Sequence, residues 1–297
     1  MSATILSGSE LAKTMRQEIE AEVSEFAKEN GFTPTAAVVR AGDDPASISY
    51  SNALEKALGG RGLGFQLHTL PETATQEEIV ALVARLNSDA AIHGIMIQEP
   101  LPKGIDEAAV KDALSPAKDI DGVHPVNTGR LAQAAPAGRP AMVGPFFAPA
   151  TPSGGMEILK RYDVTLKGKH ALVVGRSNIV GKPMALLLLR ENASVSMCHS
   201  LTEDLPGMCR TADIMCAAVG RANMIKGDWI KPGAVVIDFG VNFVDDKMVG
   251  DVVFDEAVEV AGMITAVPGG TGPMTNVMLM KNLIEAARRQ VGGILTG

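Results

Sequence analysis

Residues 171–183 read Ala-Leu-Val-Val-Gly-Arg-Ser-Asn-Ile-Val-Gly-Lys-Pro, and no other stretch constrains the fold of this chain as tightly. A four-residue apolar run ends at Gly175, a polar turn follows, and Gly181 opens a second apolar segment through Leu189. A short apolar run closed by glycine predicts a buried strand, and the segment after Gly181 predicts a helix. The N-terminus of that helix offers unpaired N–H groups and the positive end of a dipole, a combination that suits a phosphate. The spacing is Gly-x-Ser-x-x-x-Gly and not G-x-G-x-x-G, so the generic dinucleotide fingerprint fits only loosely. On its own the segment reads either as a nucleotide loop or as a plain strand–turn–helix.

At 297 residues the chain has room for two modest domains, each with its own core. Hydrophobic residues make up 46% and charged residues 21%, an ordinary globular balance. The formal charge is −7 with no basic cluster, which argues against nucleic acid and against anionic membrane surfaces as partners. No apolar run approaches the roughly 20 residues that span a bilayer. Met1 to Glu10 lacks the charged start and apolar core of a signal peptide, so a cytoplasmic location is expected. The three cysteines, Cys198, Cys209 and Cys216, match no zinc or thioredoxin spacing, and they read as free thiols in a reducing compartment. His68, His93, His124, His170 and His199 form no H-x-x-x-H pair, so no metal site is expected.

Along the chain, Leu11, Met15, Ile19, Val23 and Phe26 mark one apolar stripe and predict a helix over 10–29. Strands are predicted at Thr35–Arg40, Phe65–Leu70 and Ile92–Gln98. A helix is predicted from about Ser47 to Leu58, and Thr75-x-x-Glu78 is a capping box that opens another to about Asn87. This β-α-β-α-β order implies a parallel sheet with helices on its faces. Residues 133–154 hold five prolines and read as the crossing between domains. Further strands are predicted at Ala171–Val174, Ser194–Cys198, Ile214–Ala218, Ala234–Asp238 and Met263–Ala266. A closing helix covers Thr275–Gln290. The expected class is therefore α/β, with two doubly wound domains.

Six blocks of the chain now line up in order. They are Asp44-Pro45-Ala46-Ser47-x-x-Tyr50, Gln98-x-Pro100-Leu101-Pro102, and Lys118-Asp119-x-Asp121-Gly122-x-His124-Pro125-x-Asn127. Next come Thr151-Pro152-x-Gly154, Gly175-Arg176-Ser177-x-Ile179-Val180-Gly181-x-Pro183, and Pro268-Gly269-Gly270-x-Gly272-Pro273-Met274-Thr275. The set resembles the bifunctional methylenetetrahydrofolate dehydrogenase/cyclohydrolase family over essentially the whole chain. The resemblance implies a folate-binding catalytic domain over 1–147, rejoined by a C-terminal helix at 275–297, and a Rossmann-type NADP-binding domain over 148–274. It also implies a cleft between the two, with the folate lying in it, and a homodimer.

The same resemblance assigns roles. Tyr50 would stack on the pterin, and Asp121 would hydrogen-bond its ring, for which a carboxylate is suited because it accepts two N–H bonds at once. Gln98 would bond a catalytic lysine and the folate. Gly175, Arg176, Ser177 and Gly181 would wrap the cofactor phosphates, with Ser200 and Arg176 facing a 2′-phosphate. No carboxylate appears between the predicted strand Ser194–Cys198 and Glu203, where an NAD site would usually hold one, so NADP is the expected cofactor. Pro268, Gly269 and Gly270 would line the folate and nicotinamide pocket, unless they form only a tight turn, and Val241 would touch the nicotinamide side. Lys118 and Asp119 would hold the loop.

Two positions depart from the family pattern. Glu99 stands where the family usually has leucine. More consequentially, the family places its catalytic lysine four residues after the tyrosine, and here that position is Leu54. Lys56 lies six residues from Tyr50 and would project roughly 120° away from it around a helix. Hydride transfer needs proximity and orientation, whereas hydrolysis of the methenyl product needs protons moved. The expectation is an NADP-dependent dehydrogenase with weak or absent cyclohydrolase activity. The alternatives are a fully bifunctional enzyme, in which Lys56, Glu99 or a water replaces the lysine, and a catalytically silent folate- or nucleotide-binding module.

Overall fold

A computed structural model describes residues 2–293. The chain divides into two compact units. One gathers Met15–Arg130, Gly144–Ala150 and the described part of Met278–Gly297; the other gathers the described part of Met1–Thr14, Leu131–Val143 and Thr151–Val277.

The chain enters through β1 (Thr4–Ile5) and α1 (Gly8–Asn30). The buried stripe of α1 is Ala12, Met15, Ile19, Val23 and Phe26, with Leu11 half-buried. There follow β2 (Thr35–Ala41), α2 (Pro45–Gly59), β3 (Gly64–Leu70), α3 (Gln76–Ser88) and β4 (Gly94–Ile97). These strands form a sheet in the order β3-β2-β4, and its parallel sense is the one expected from their alternation with helices. Caps fix where the helices start. Asp44 Oδ2 accepts the Ser47 N–H at 2.8 Å to open α2, with Pro45 in the first turn. At α3 the Thr75 hydroxyl accepts the Glu78 N–H at 3.3 Å, and the Glu78 carboxylate accepts the Thr75 N–H at 2.8 Å. One face of the sheet packs Ala37, Val39, Ile95 and Ile97 against Ile79, Val83 and Leu86 of α3. Two helices complete this stretch, α4 (Glu107–Asp112) and α5 (Pro125–Gln133).

The second unit continues with α6 (Ala150–Arg161), β5 (His170–Val174), α7 (Gly181–Arg190), β6 (Ser194–Cys198), α8 (Leu205–Cys209) and β7 (Ile214–Ala217). Then come β8 (Val235–Asp238), the hairpin strands β9 (Asn242–Val244) and β10 (Lys247–Val249), α9 (Phe254–Ala257), β11 (Met263–Ile264) and α10 (Thr271–Val291). Six strands form a parallel sheet in the order β1-β11-β8-β7-β5-β6. The chain steps from β5 to β6 on one side, and then returns to place β7 on the other side of β5. Strand order reverses there, and ligands of open α/β sheets bind at such a point, outside the carboxyl ends of the strands.

The two units take up the chain in more segments than the expected 1–147, 148–274 and 275–297. Thr4 and Ile5 pair with Met263 and Ile264 in the six-stranded sheet. Ala137 N donates to Arg190 O at 2.8 Å, and Ser7 N to the Tyr162 hydroxyl at 2.8 Å. These bonds tie two short segments to the six-stranded unit. The closing helix begins at Thr271, four residues before its predicted start, and ends at Val291. Residues 294–297 of the expected 275–297 segment lie outside the described residues. No helix among the described residues is long and apolar enough to cross a membrane.

Candidate functional site

In the three-stranded unit, Tyr50, Leu54, Gln98 and Asp121 are presented by α2 and by segments that follow β4. Tyr50 is half-buried on α2, whose buried face is Ser47, Ser51, Leu54 and Leu58. Burial raises the Tyr50 pKa above its usual value, and the Asp121 charge pushes the same way, so the phenol stays protonated. Gln98 follows β4 directly and is 4% exposed. Its N–H donates to Val39 O at 2.9 Å, and its side-chain Nε2 donates to the Ser47 carbonyl at 2.6 Å. Its Oε1 is buried and has no partner among the described residues. Leu54 is 1% exposed, and Lys56 points to solvent.

Asp121 carries the most perturbed environment of this group. Burial pushes its pKa up to about 7, and the neighbouring charges of Asp119 and Glu99 add to the rise, while Lys111 opposes it. Glu99 itself forms an ion pair with Lys111. The loop that carries Asp121 is braced from within. Fully buried Asp119 accepts N–H groups of Gly122 at 2.9 Å, Val123 at 3.2 Å and His124 at 2.8 Å, and the Asn127 amide at 2.8 Å. Lys118 Nζ donates to Leu86 O at 3.1 Å and Asp89 O at 2.7 Å, which pins the loop to the end of α3. Gly122 leaves no room for a side chain, since a Cβ there would lie 2.5 Å from Ala148 C.

In the six-stranded unit, the loop after β5 sits at the point of strand reversal. Gly175 has φ +130°, and a Cβ on it would lie 2.1 Å from Ala218 O. Gly181 presses on the Gly175 carbonyl in the same way, with a hypothetical Cβ only 2.5 Å from it. The two glycines therefore close the turn against its own backbone and against β7. Ser177 Oγ accepts the Val180 N–H at 3.1 Å and the Gly181 N–H at 3.2 Å, capping α7. Two of the N–H groups expected to meet a phosphate are thus engaged, while the Ser177 O–H proton remains a donor. A cavity of about 530 Å³ opens beside this loop, lined by Gly175, Arg176, Ser177, His199, Ser200 and Arg221 among others. Asp204 also lines it, but its Oδ1 accepts the Gly207 N–H at 3.0 Å to start α8.

The Pro268-Gly269-Gly270 loop has a packing reason for its glycines. Gly269 has φ +104°, and a Cβ on Gly270 would lie 2.6 Å from Ala266 O. Ser9 N donates to Gly269 O at 2.9 Å, so the loop also anchors the start of α1. Val241 is 58% exposed, just before β9.

Three residues with clear structural roles did not stand out in the sequence. Asp251, fully buried, accepts the N–H groups of Val219 at 2.7 Å, Gly220 at 3.0 Å and Arg221 at 2.9 Å, which shapes the cavity wall. Arg221 itself enters the cavity. Arg40, near the end of β2, is 9% exposed and donates from Nη1 to Ser51 Oγ at 2.9 Å. A charged residue inside the run Ala36–Ala41 was the available signal for the last. The three cysteines are all buried, and burial pushes Cys209 and Cys216 up to about 12. Among the described residues no cluster of three acidic, histidine or cysteine side chains is placed to hold a metal.

Comparison with known proteins covers both units. Residues 6–121 match the tetrahydrofolate dehydrogenase/cyclohydrolase catalytic domain, and residues 149–291 match the NAD(P)-binding domain of the same family. The bifunctional protein FolD of Roseiflexus sp. (strain RS-1) is 50% identical over 292 residues, covering 98% of each chain. That of Chloroflexus aggregans is 49% identical over 98% of this chain and 100% of the relative. Among solved structures, the bifunctional FolD methylenetetrahydrofolate dehydrogenase/cyclohydrolase of Campylobacter jejuni superposes with a TM-score of 0.92 at 39% identity, over 97% of this chain and 100% of that one. The Trypanosoma brucei enzyme, solved with NADP cofactor and inhibitor, gives a TM-score of 0.91 at 36% identity, over 98% and 99%.

Proposed function

The chain belongs to the tetrahydrofolate dehydrogenase/cyclohydrolase family, and from that premise we propose that it oxidises 5,10-methylenetetrahydrofolate with NADP while hydrolysing the methenyl product weakly or not at all. The observation that carries the second half is at α2. The position that the family resemblance gives to a lysine holds Leu54, buried at 1% exposure, and Gln98 Oε1 beside the same helix is left with no donor. A buried amide oxygen without a partner is what remains when one member of a polar pair is replaced by an apolar one.

The two reactions ask for different things from these residues. In the oxidation, a hydride leaves the methylene carbon with its electron pair, and the substrate becomes a methenyl cation; no protein acid or base takes part. Tyr50 and Asp121 need only hold the pterin in place, and an ionised Asp121 also offsets the growing positive charge. In the hydrolysis, water adds to the methenyl carbon and gives up a proton, and one C–N bond then breaks as its nitrogen takes up a proton. Loss of one positioned acid/base group costs typically about 10²–10⁴-fold, and Leu54 cannot move a proton.

The dinucleotide fits the residues of the six-stranded unit. The Gly175 cradle admits no side chain, the Ser177 O–H remains a donor, and Arg176, Arg221 and Ser200 line one cavity with no carboxylate between β6 and Glu203. Bound there, NADP supplies the hydride acceptor. The NADP carried by the T. brucei relative agrees with this choice over NAD. Pro268, Gly269, Gly270 and Val241 are the further residues we assign to the ligands. A homodimer completes the reading, because β3 ends its sheet and leaves one edge unpaired. A reducing, cytoplasmic setting suits three buried free thiols.

The test uses purified protein in two separate assays. NADPH formation from methylenetetrahydrofolate should be rapid and should favour NADP over NAD. Decay of supplied methenyltetrahydrofolate should stay close to its spontaneous rate. Enzymatic hydrolysis matching the oxidation rate contradicts the proposal, and so does a tenfold preference for NAD.

A further inference from the structure

Arg40 has no counterpart in the roles discussed so far, yet it is among the most unusual groups in the molecule. It is 9% exposed, its Nε–H is buried without a partner, and among the described residues it makes no ion pair. A buried cation with no counter-ion is costly, and an unpaired N–H adds to that cost. Among the described residues its side chain makes one hydrogen bond, from Nη1 to Ser51 Oγ at 2.9 Å.

Gln98 is its neighbour in the sheet. Val39 pairs with Ile97 in the parallel register of β2 and β4, and Gln98 N donates to Val39 O, so Arg40 and Gln98 are the next pair along on one face. Both side chains reach the same turn of α2. Gln98 Nε2 donates to Ser47 O at 2.6 Å, and Ser51 Oγ, which accepts from Arg40, donates to that same carbonyl at 2.9 Å. This turn carries Tyr50, and Leu54 follows Ser51 by three residues on the buried face. An orphan donor and an orphan acceptor therefore flank the helix turn assigned to the pterin.

We propose that Arg40 supplies the cation of the folate site, contacting the substrate from β2 in place of a residue on α2. The Arg40 guanidinium binds a carbonyl oxygen of the substrate while Gln98 Oε1 accepts an N–H, and a tetrahydropterin carries both. This inference rests on the folate reading above and sharpens it. A guanidinium stays protonated at any working pH, so it can bind and orient but cannot move a proton. Such a site keeps the positioning that oxidation needs and lacks the proton shuttle that hydrolysis needs.

The experiment compares full-length wild type with Arg40→Met, Arg40→Lys, Leu54→Lys and Arg40→Met combined with Leu54→Lys. Loss of one charge-assisted contact should raise KM for methylenetetrahydrofolate at least about tenfold in Arg40→Met, leaving KM for NADP unchanged. Arg40→Lys should recover part of that loss and add an alkaline limb to the pH profile, since lysine titrates there and arginine does not. Leu54→Lys alone would add a second cation on the buried face of α2 that Arg40 reaches through Ser51, and like charges repel, so the double variant should hydrolyse methenyltetrahydrofolate faster than Leu54→Lys. If Arg40→Met folds and its KM for the folate stays within twofold of wild type, Arg40 only braces Ser51 and the proposal is overturned. Where Arg40→Met does not fold, Arg40→Gln serves the same comparison. If wild type forms no NADPH, the activity reading fails separately, and calorimetric binding of tetrahydrofolate to the same variants still decides the role of Arg40.

Discussion

Asp121, proposed above to bind the pterin, changes charge within the working pH range. Burial, Asp119 and Glu99 push its pKa up to about 7, and only Lys111 pulls the other way. The ionised form is the better acceptor for pterin N–H groups, so kcat/KM for the folate should rise as pH climbs through about 7 and level off above it. Asp121→Asn should flatten that limb and lower the plateau about tenfold or more. The stability sign runs opposite to activity. A carboxyl whose folded pKa lies above its unfolded value of 3.8 stabilises most when protonated, and that contribution is lost as pH rises through about 7. Asp121→Asn should therefore melt no lower than wild type at pH 8, and a thermal scan at pH 5 and pH 8 checks it. At Gly175 the prediction is steric. With φ +130° and a Cβ 2.1 Å from Ala218 O, Gly175→Ala should weaken NADP binding by more than about tenfold and lower Tm, which calorimetry and a melting curve would show.

At the scale of elements, loops are held by carboxylates whose acceptor sites are taken up by backbone N–H groups, Asp119 and Asp251. Asp251 accepts three consecutive N–H groups of 219–221, and its replacement by alanine leaves them unpaired. That should cost on the order of 3 kcal/mol of stability. It should also raise KM for NADP more than KM for the folate, because the loop it shapes lines the cavity proposed for the cofactor. Much at this scale was legible beforehand. The capping box at Thr75, the parallel order of β2, β3 and β4, and the glycine turn after β5 all follow from local spacing. What escaped has physical reasons. β1 is two residues long, too short for periodicity to register, and it is a strand because it pairs with β11. Asp251 acts about thirty residues from the loop it braces, and no spacing rule reports such a bond. Arg40 was hidden in an otherwise apolar strand, where a charge reads as a surface residue until its burial is known.

For the molecule as a whole, on the function proposed above, the three-stranded unit supplies residues for the folate and the six-stranded unit residues for the cofactor, with Leu54 where a proton would have to be moved. The proposed homodimer would associate through the free edge of β3, where Leu67 is 37% exposed. Leu67→Glu should shift the mass measured by light scattering from dimer to monomer, while an unchanged mass would place the interface elsewhere. The central claim is the separation of oxidation from hydrolysis, and one reaction tests it most directly. Purified protein is mixed with methylenetetrahydrofolate and NADP, and the methenyl and 10-formyl products are quantified against NADPH through the first turnovers. Methenyltetrahydrofolate should accumulate one for one with NADPH, with 10-formyl product appearing only at the spontaneous rate. Ten-formyl product formed in step with NADPH, with no methenyl accumulation, would contradict that separation.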